Sequence, residues 1–436
     1  MLGLSYLWID SLCILQDCES DWKLQAANMA TIFESAFITI AGTAGEDSNS
    51  GLYSSNPEYD LSATSGDGSS YEVFARQRIK HFDLLNPYVS DGDPESGNWF
   101  DLSSFPKLLE RAWVYQERLL SRRVLHFGQE LYWECMEDAW CQCWERASEL
   151  DDYADLRILP KVKHAALFKE PDPRSAAIRW RQVVSEYSGL KLTFPSDRLP
   201  AIAGMATQLG RIRPNSYIAT AGLWNDSLGE DLLWHTLGIG LSGRPPQQGR
   251  APSWSWASIE NKVVYPQAAY QESEWDTRLH KEFTVKTIGI VPSDTVTDSH
   301  HVVLSVQGQL CVAGLSYSIE NNDDPDNDDP TSVDGGETSE GDEASEIFWV
   351  VSPGGYVRDF AADYDLSQPG HHQAPSGSTI YCFKIAFNKV EYFAMVLRRL
   401  ENGFYERIGL LQQDLAKEPG ARAFWDAAKE TELSIV

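Results

Sequence analysis

Leu4-Ser5-Tyr6-Leu7-Trp8-Ile9-Asp10 opens the chain with an apolar run that stops at a carboxylate, and the residues after it decide how the fold is read. Past a short loop, Trp22, Ala26, Met29 and Phe33 recur at helical spacing, with Ala30 and Phe37 widening the stripe. Phe37 to Ala41 is then a second apolar run of strand length. Strand, helix and strand in that order normally form a right-handed crossover between parallel strands. The expectation is an α/β domain with a partial parallel sheet covered by helices. Ligands of open α/β sheets bind beyond the carboxyl ends of the strands. Asp10 falls at such an end, with Cys13, Gln16 and Asp17 on the same loop. The same residue types also serve plain structural ends, Asp as a loop cap and Cys as a small apolar group.

Further along, residues 43–106 are rich in Gly, Ser, Asp and Pro and read as an irregular insertion around a short strand at Tyr71 to Arg76. Regularity returns at Pro106. On a helical wheel Leu109, Trp113, Gln116 and Leu120 fall within about 60° of one another. Gln116 therefore lies in the apolar stripe and must hydrogen-bond when buried, while Glu117 falls at the stripe's edge, where burial perturbs a carboxyl. Arg111, Trp113, Gln116 and Glu117 form a second candidate cluster. Arg123 to Phe127 and Leu131 to Cys135, joined by Gly128-Gln129-Glu130, have the pattern of a hairpin.

Residues 151–175 are charged and contain proline, which reads as a linker between an N-terminal domain, 1–150, and a region 176–436. Ala177, Trp180, Val184 and Tyr187 mark one helix, and Ser196 is placed to cap a second containing Ile202, Met205, Ala206 and Leu209. Strand-like runs follow at Ser253 to Ser258, Thr284 to Val291, Val302 to Val306, Thr379 to Ala386, Tyr392 to Leu397 and Phe404 to Leu411. This region is expected to be mixed α+β and rich in strands. Residues 320–346 hold twelve acids and no Lys or Arg, and are expected to be a disordered acidic loop.

With 36 Lys and Arg against 64 Asp and Glu, the 436-residue chain carries a net charge of −28, which disfavours nucleic acid as a partner. No window approaches the roughly 18 apolar residues of a spanning helix, and no basic flank marks a secretion signal. Seven cysteines, an odd number, read as reduced thiols in a cytosolic or nuclear protein. Gly238, Gly240 and Gly243 spell a dinucleotide fingerprint, but Pro245 and Pro246 prevent the helix that motif needs, so it is read as a loop. Cys135, Cys141 and Cys143 offer only one short pair, too few for a structural zinc, and no metal is expected. His300 with His301 and His371 with His372 read as solvated pairs. Cys13 with His126 and Asp10 has the residue types of a cysteine hydrolase, provided the thiol lies within roughly 4 Å of an imidazole nitrogen.

Tyr6-Leu7-Trp8-Ile9-Asp10-Ser11-Leu12-Cys13-Ile14-Leu15-Gln16-Asp17, Ile38-Thr39-Ile40-Ala41 before Gly51-Leu52, and Arg111-Ala112-Trp113-Val114-Tyr115-Gln116-Glu117-Arg118 resemble the fungal heterokaryon incompatibility (HET) domain. Downstream, the resemblance continues at Leu192-Thr193 with Asp197-Arg198-Leu199-Pro200-Ala201, and at Ala221-Gly222-Leu223-Trp224. It also takes in Pro252-Ser253-Trp254-Ser255-Trp256-Ala257-Ser258 and Tyr405-Glu406-Arg407-Ile408-Gly409. The family's upstream strand and Ser-His-Cys-Trp-Gly block have no counterpart here, so an N-terminally truncated domain is expected.

The resemblance implies a cytoplasmic fungal protein of non-self recognition and programmed cell death, with a flavodoxin-like core similar to the Toll/interleukin receptor domain. Members of that wider group act as signalling scaffolds or cleave NAD with a glutamate. Glu117 or Asp10 would then be the catalytic carboxylate, with Trp8, Cys13, Gln16, Arg111 and Trp113 around a bound NAD. NAD would be substrate, and no cofactor is implied. Protein partners or self-association are expected, and a non-catalytic scaffold or an inactive fragment are the alternatives.

Overall fold

The computed structural model describes residues 3–47, 49–53, 58–76, 106–142, 159–238, 241–244, 251–270, 279–291, 301–320 and 345–436. The chain divides into two compact units, 1–179 with 190–214 and 180–189 with 215–436. The acidic run expected to be disordered lies almost wholly outside the described residues; of the glycine fingerprint Gly240 lies outside them, while Gly238 sits in a bend and Gly243 in irregular chain.

In the first unit, the opening apolar run does not become a strand. Residues 3–9 pair with no strand among the described residues, and Tyr6 is 97% and Leu7 77% exposed. An apolar sequence forms a strand only where a neighbour takes up its N–H and C=O groups. Asp10 instead opens a single turn, α1 (Asp10–Cys13). The helix after it, α2 (Glu19–Ser35), buries Met29 and Phe33 as its spacing requires, and β1 follows as three residues, Thr39–Ala41. Two short ladders occupy the insertion, β2 (Glu58–Asp60) with β5 (Phe74–Arg76), and β3 (Ala63–Thr64) with β4 (Ser70–Tyr71).

Next come α3 (Ala112–Leu120) and the expected hairpin, β6 (Arg123–Phe127) with β7 (Leu131–Cys135), then β8 (Ala139–Cys141), which the sequence pattern did not reveal. The sheet order is β1-β6-β7-β8. It is mixed, because β1 runs parallel to β6 while β6, β7 and β8 are antiparallel. The interval read as a linker holds α4 (Pro160–Lys169) and the start of α5 (Pro173–Tyr187). Ser196 caps no helix. It lies in a 3-10 turn, and α6 (Ala203–Gly210) begins only after a second such turn at Pro200–Ile202, where the proline resets the backbone.

The second unit is dominated by strands. A small ladder, β9 (Tyr217–Ile218) with β10 (Leu223–Trp224), precedes the single turn α7 (Leu228–Asp231). The main sheet comprises β11 (His280–Lys281), β12 (Phe283–Val291), β13 (His301–Glu320), β14 (Ser345–Val351), β15 (Val357–Ala362), β16 (Thr379–Phe387), β17 (Glu391–Arg399), β18 (Tyr405–Asp414) and β19 (Lys429–Ile435). Pairing runs β13-β14-β15-β18-β17-β16 and returns from β16 to β13, so these strands close into a barrel without a free edge. Alternate residues of β13, namely Cys311, Ala313 and Leu315, face a core shared with Phe348, Val396 and Ile408, whereas Val312 is 53% exposed. Phe424 and Trp425 of α8 (Pro419–Asp426) pack against the same core.

Ser253 to Ser258, expected as a strand, is a turn ending in a 3-10 segment, because its side chains bind backbone that a ladder would otherwise use. Ser255 Oγ donates to the Ala221 carbonyl and Trp256 Nε1 to the Gly222 carbonyl, which also accepts from Trp180 Nε1 at 3.0 Å. Beneath lies the fully buried Arg407. It donates to the carboxylate of Asp363 at 3.1 Å and to the carbonyls of Leu232 and Trp234, with its guanidinium 3.5 Å over the Trp234 ring. Removing one member of such a pair strands a buried charge. Arg407→Met is therefore expected to cost about 3–5 kcal/mol in denaturant titration, and adding Asp363→Leu to restore part of it. Additive losses in the double variant would refute the pairing.

Candidate functional site

The site is built around α3, and three anchors fix that helix. At its N-terminal end Ala112 N–H donates to the Lys191 carbonyl at 3.0 Å, and Lys191 N–H to the Glu110 carbonyl at 2.7 Å. The buried Glu110 carboxylate sits between Lys191 (2.7 Å) and Lys107 (3.0 Å), which lower its pKa. One turn on, Trp113 Nε1 donates to Asp197 Oδ2 at 3.1 Å.

The second anchor is Gln116, buried as its place in the stripe requires. Its Oε1 accepts from Gly204 N–H at 3.1 Å. A Cβ on Gly204 would stand 2.7 Å from Ala30 Cβ and 2.8 Å from Gln116 Oε1, so only glycine lets α6 approach α2 and α3 this closely. The third anchor is Arg118, which forms a bidentate pair with Glu134 of β7 (2.7 and 3.0 Å). His126 Nε2 lies 3.1 Å from the same carboxylate, and Lys161 Nζ of α4 donates to the last carbonyls of α3, those of Arg118 and Ser121. Arg118 and Lys161 hold Glu134 well below the usual carboxylate range against its burial, while burial brings Lys161 down to about 8.

Glu117 stands between these anchored neighbours. Burial raises its pKa to about 7, opposed by the charge of Arg111 and reinforced by that of Asp10. Arg111 is the exposed N-cap residue of α3. The structure thus brings Glu117, Arg111 and Asp10 within electrostatic reach of one another. Asp10 is exposed, and its Oδ1 accepts from Ser11 N–H at 2.7 Å. Gln16 closes the loop, its Nε2 donating to the carbonyls of Ile14 (3.0 Å) and Asp10 (3.4 Å). The indoles are already in use. Trp8 packs edge-on against Phe33 at 5.6 Å, and Trp113 against Trp22 at 6.3 Å.

Cys13 is an exposed free thiol on α1. His126 is buried in β6 with Nε2 engaged by Glu134, and burial lowers its pKa, so the hydrolase grouping of Cys13, His126 and Asp10 has no accessible base. Cys141 is disulfide-bonded, which corrects the expectation that all seven cysteines are thiols. Among the described residues no three His, Cys, Asp or Glu side chains converge to hold a metal. Sequence reading missed the roles of Lys191, Asp197 and Gly204. Their only signal was that Leu192-Thr193 and Asp197-Arg198-Leu199-Pro200-Ala201 belong to the same set of recognisable blocks as α3.

Residues 1–117 match the family model described as Heterokaryon incompatibility protein (HET). The match ends at Glu117 and includes both the Asp10 loop and Arg111. No curated protein and no solved structure matches the chain. Among the described residues no helix is long and apolar enough to cross a membrane.

Two outcomes follow for α3. Gln116→Ala leaves Gly204 N–H buried without its acceptor and should cost about 1–3 kcal/mol in chemical denaturation. Glu117 acts oppositely. Below pH 4.5 it is protonated folded and unfolded and costs nothing; as pH rises toward 7 the unfolded chain ionises first, and above 7 the penalty is full, up to about 3 kcal/mol. Glu117→Gln should therefore leave stability unchanged at pH 4 and raise it at pH 8. An equal difference at both pH values would show that the carboxyl is not strained.

Proposed function

We propose that this chain is an incompatibility effector that drives programmed cell death in the fungal cytoplasm, acting through the cleft between the Asp10 loop and the Arg111 to Glu117 segment. Its chemistry is hydrolysis of the N-glycosidic bond of NAD. The observation that carries this reading is a desolvated carboxyl, Glu117, flanked by a cation and a second carboxylate inside the HET-matched segment. A pKa near 7 lets the group stabilise charge when ionised and accept a proton afterwards. Cleavage of the bond between C1′ and the pyridinium nitrogen sends its electron pair to nicotinamide. The oxocarbenium-like ribose is stabilised by ionised Glu117. Water adds to C1′ and gives its proton to that carboxylate, so NAD and water yield nicotinamide, ADP-ribose and a proton. In this reading Arg111 takes the pyrophosphate, and Trp8, Trp113, Cys13 and Gln16 are the residues assigned to NAD binding. The pairing of α2–β1 with α3–β6 is the part of the fold comparable to a Toll/interleukin receptor core, a comparison that rests on the resemblance.

The test is incubation of the full chain with NAD, with nicotinamide measured by chromatography. Glu117→Gln is expected to lower release by about 100-fold or more and to abolish killing in a fungal cell-death assay at equal abundance. Killing by the variant at the parent's level would remove Glu117 from the mechanism.

One observation favours a second reading, a scaffold that acts by self-association. Leu4, Tyr6, Leu7, Leu12 and Leu15 are all more than half exposed within one short stretch, and Ile40 of β1 is 48% exposed. The edge of β1 opposite β6 pairs with no strand among the described residues. Apolar surface and an open edge together are what association consumes. Light scattering across a wide concentration range should then show mass rising with concentration, and a strict monomer would eliminate this reading.

A further inference from the structure

The first unit holds a cavity of about 640 Å³ at the end of α3 remote from Arg111, within the size range of small-molecule sites. The helices set its place. Both α2 and α3 lead into parallel strands, with Trp22 meeting Trp113 near their N-terminal ends, while Glu34 and Arg122 near their C-terminal ends line the cavity. The cavity is thus separate from the cleft assigned to NAD.

Its walls are aromatic. Trp133 and Trp140 stack with ring centroids 6.0 Å apart and planes 15° from parallel, and Trp140 stays 39% exposed. Phe168 of α4 stands edge-on to His164 at 5.3 Å, and His164 Nε2 is held by Gln208 at 2.7 Å. The rim is cationic, with Arg122, Arg123, Lys169 and Arg211 against two acids, Glu34 and Glu137. In a chain with 36 basic and 64 acidic residues, that local excess runs against composition. Glu34 is taken up by Arg211 (2.7 and 2.9 Å), and Arg123 lies over the Phe37 ring at 5.2 Å. Arg122 and Lys169 are both exposed, and the charge of Arg122 also acts on Glu34.

We propose that this cavity binds a small planar aromatic anion, its ring on the Trp133 and Trp140 faces and its anionic group between Arg122 and Lys169. Stacking supplies the apolar contact. The two cations supply orientation, Lys169 without giving up an ion pair among the described residues. Carboxylate and phosphate share this chemistry, so the probes are indole-3-acetate and AMP, each beside its neutral counterpart, indole and adenosine.

Isothermal titration of the full chain should give saturable binding of at least one anionic probe with Kd at or below about 1 mM, and which one binds assigns carboxylate or phosphate. The neutral counterpart should bind about tenfold or more weakly, as should Lys169→Gln and the double variant Arg122→Glu with Lys169→Glu. Both cations are exposed, so the fold is expected to survive, and circular dichroism checks it; Lys169→Gln alone carries the test if the double variant does not fold. Glu117→Gln should bind like the parent. Absence of saturable binding by both anions, equal binding of a neutral counterpart, or undiminished binding by the cation variants would overturn the proposal. Loss of binding in Glu117→Gln would overturn it too, because the ligand would then sit in the other cleft.

Discussion

The bidentate pair between Arg118 and Glu134 is the constraint on which the first unit depends. Two charges placed at 7% and 4% side-chain exposure have lost nearly all hydration, and their mutual geometry, with His126 and Lys161 beside the carboxylate, compensates them. Glu134 belongs to the hairpin and Arg118 to α3, so the pair fixes the rotation of α3 about its own axis relative to the sheet. A rotation of one residue, about 100°, would bring Glu117 toward the hairpin and carry the guanidinium away from it. Lys161 adds a second tether from α4 to the carbonyls at the helix end, and the α4 segment is ordered where composition suggested a linker.

The second unit solves a similar problem with Arg407, whose donors reach Asp363 and two backbone carbonyls. Burial raises Asp363 while the guanidinium opposes that shift. A neighbouring residue completes the set, because Glu406 is held by Arg244 at 2.9 Å and Arg398 and brought down to about 2. His372 lies 3.3 Å from the same carboxylate, so it is anchored rather than solvated as its place in a histidine pair suggested. Glu406 and Arg407 come from the Tyr405 to Gly409 block, and Arg407 N–H donates to Ser253 of the Ser253 to Ser258 block, which in turn binds the Ala221 to Trp224 block. The conspicuous downstream motifs are therefore accounted for by packing: tryptophan N–H groups and serine hydroxyls satisfy turn carbonyls that no ladder reaches.

Periodicity made α2, α3, α5 and the β6–β7 hairpin legible, because each buries one face and its apolar spacing records that face. It failed at Leu4 to Ile9, where an apolar run lacks a pairing partner among the described residues, since the run itself says nothing of what lies beside it. It failed also at Ser253 to Ser258, whose alternation of serine and tryptophan mimics a strand although both types are satisfied by distant carbonyls. β8, β14, β15 and β19 were missed because short or mixed strands carry little alternation. In the site, Gln116 and Glu117 could be separated by wheel angle alone. Lys191, Asp197 and Gly204 could not, since they reach α3 across roughly eighty residues of chain.

Gln116, Glu117 and Arg118 are three consecutive polar residues at successive 100° steps, and their environments differ in one respect. Gln116 meets a backbone donor placed by Gly204, and Arg118 meets a carboxylate with matching fork geometry. Each is explained by what it holds in place. Glu117 is half-buried between them, and the charges acting on it, Arg111 and Asp10, oppose one another, so that burial leaves its pKa raised to about 7. A fold that invests two close-fitting partners in the residues on either side could have neutralised this carboxyl by the same means. A strained group amid satisfied ones is where stability has not been maximised, and such residues are more often retained for chemistry than for packing. Within the proposed mechanism Glu117 is therefore preferred to Asp10, which is exposed and already accepts from Ser11 N–H of its own loop.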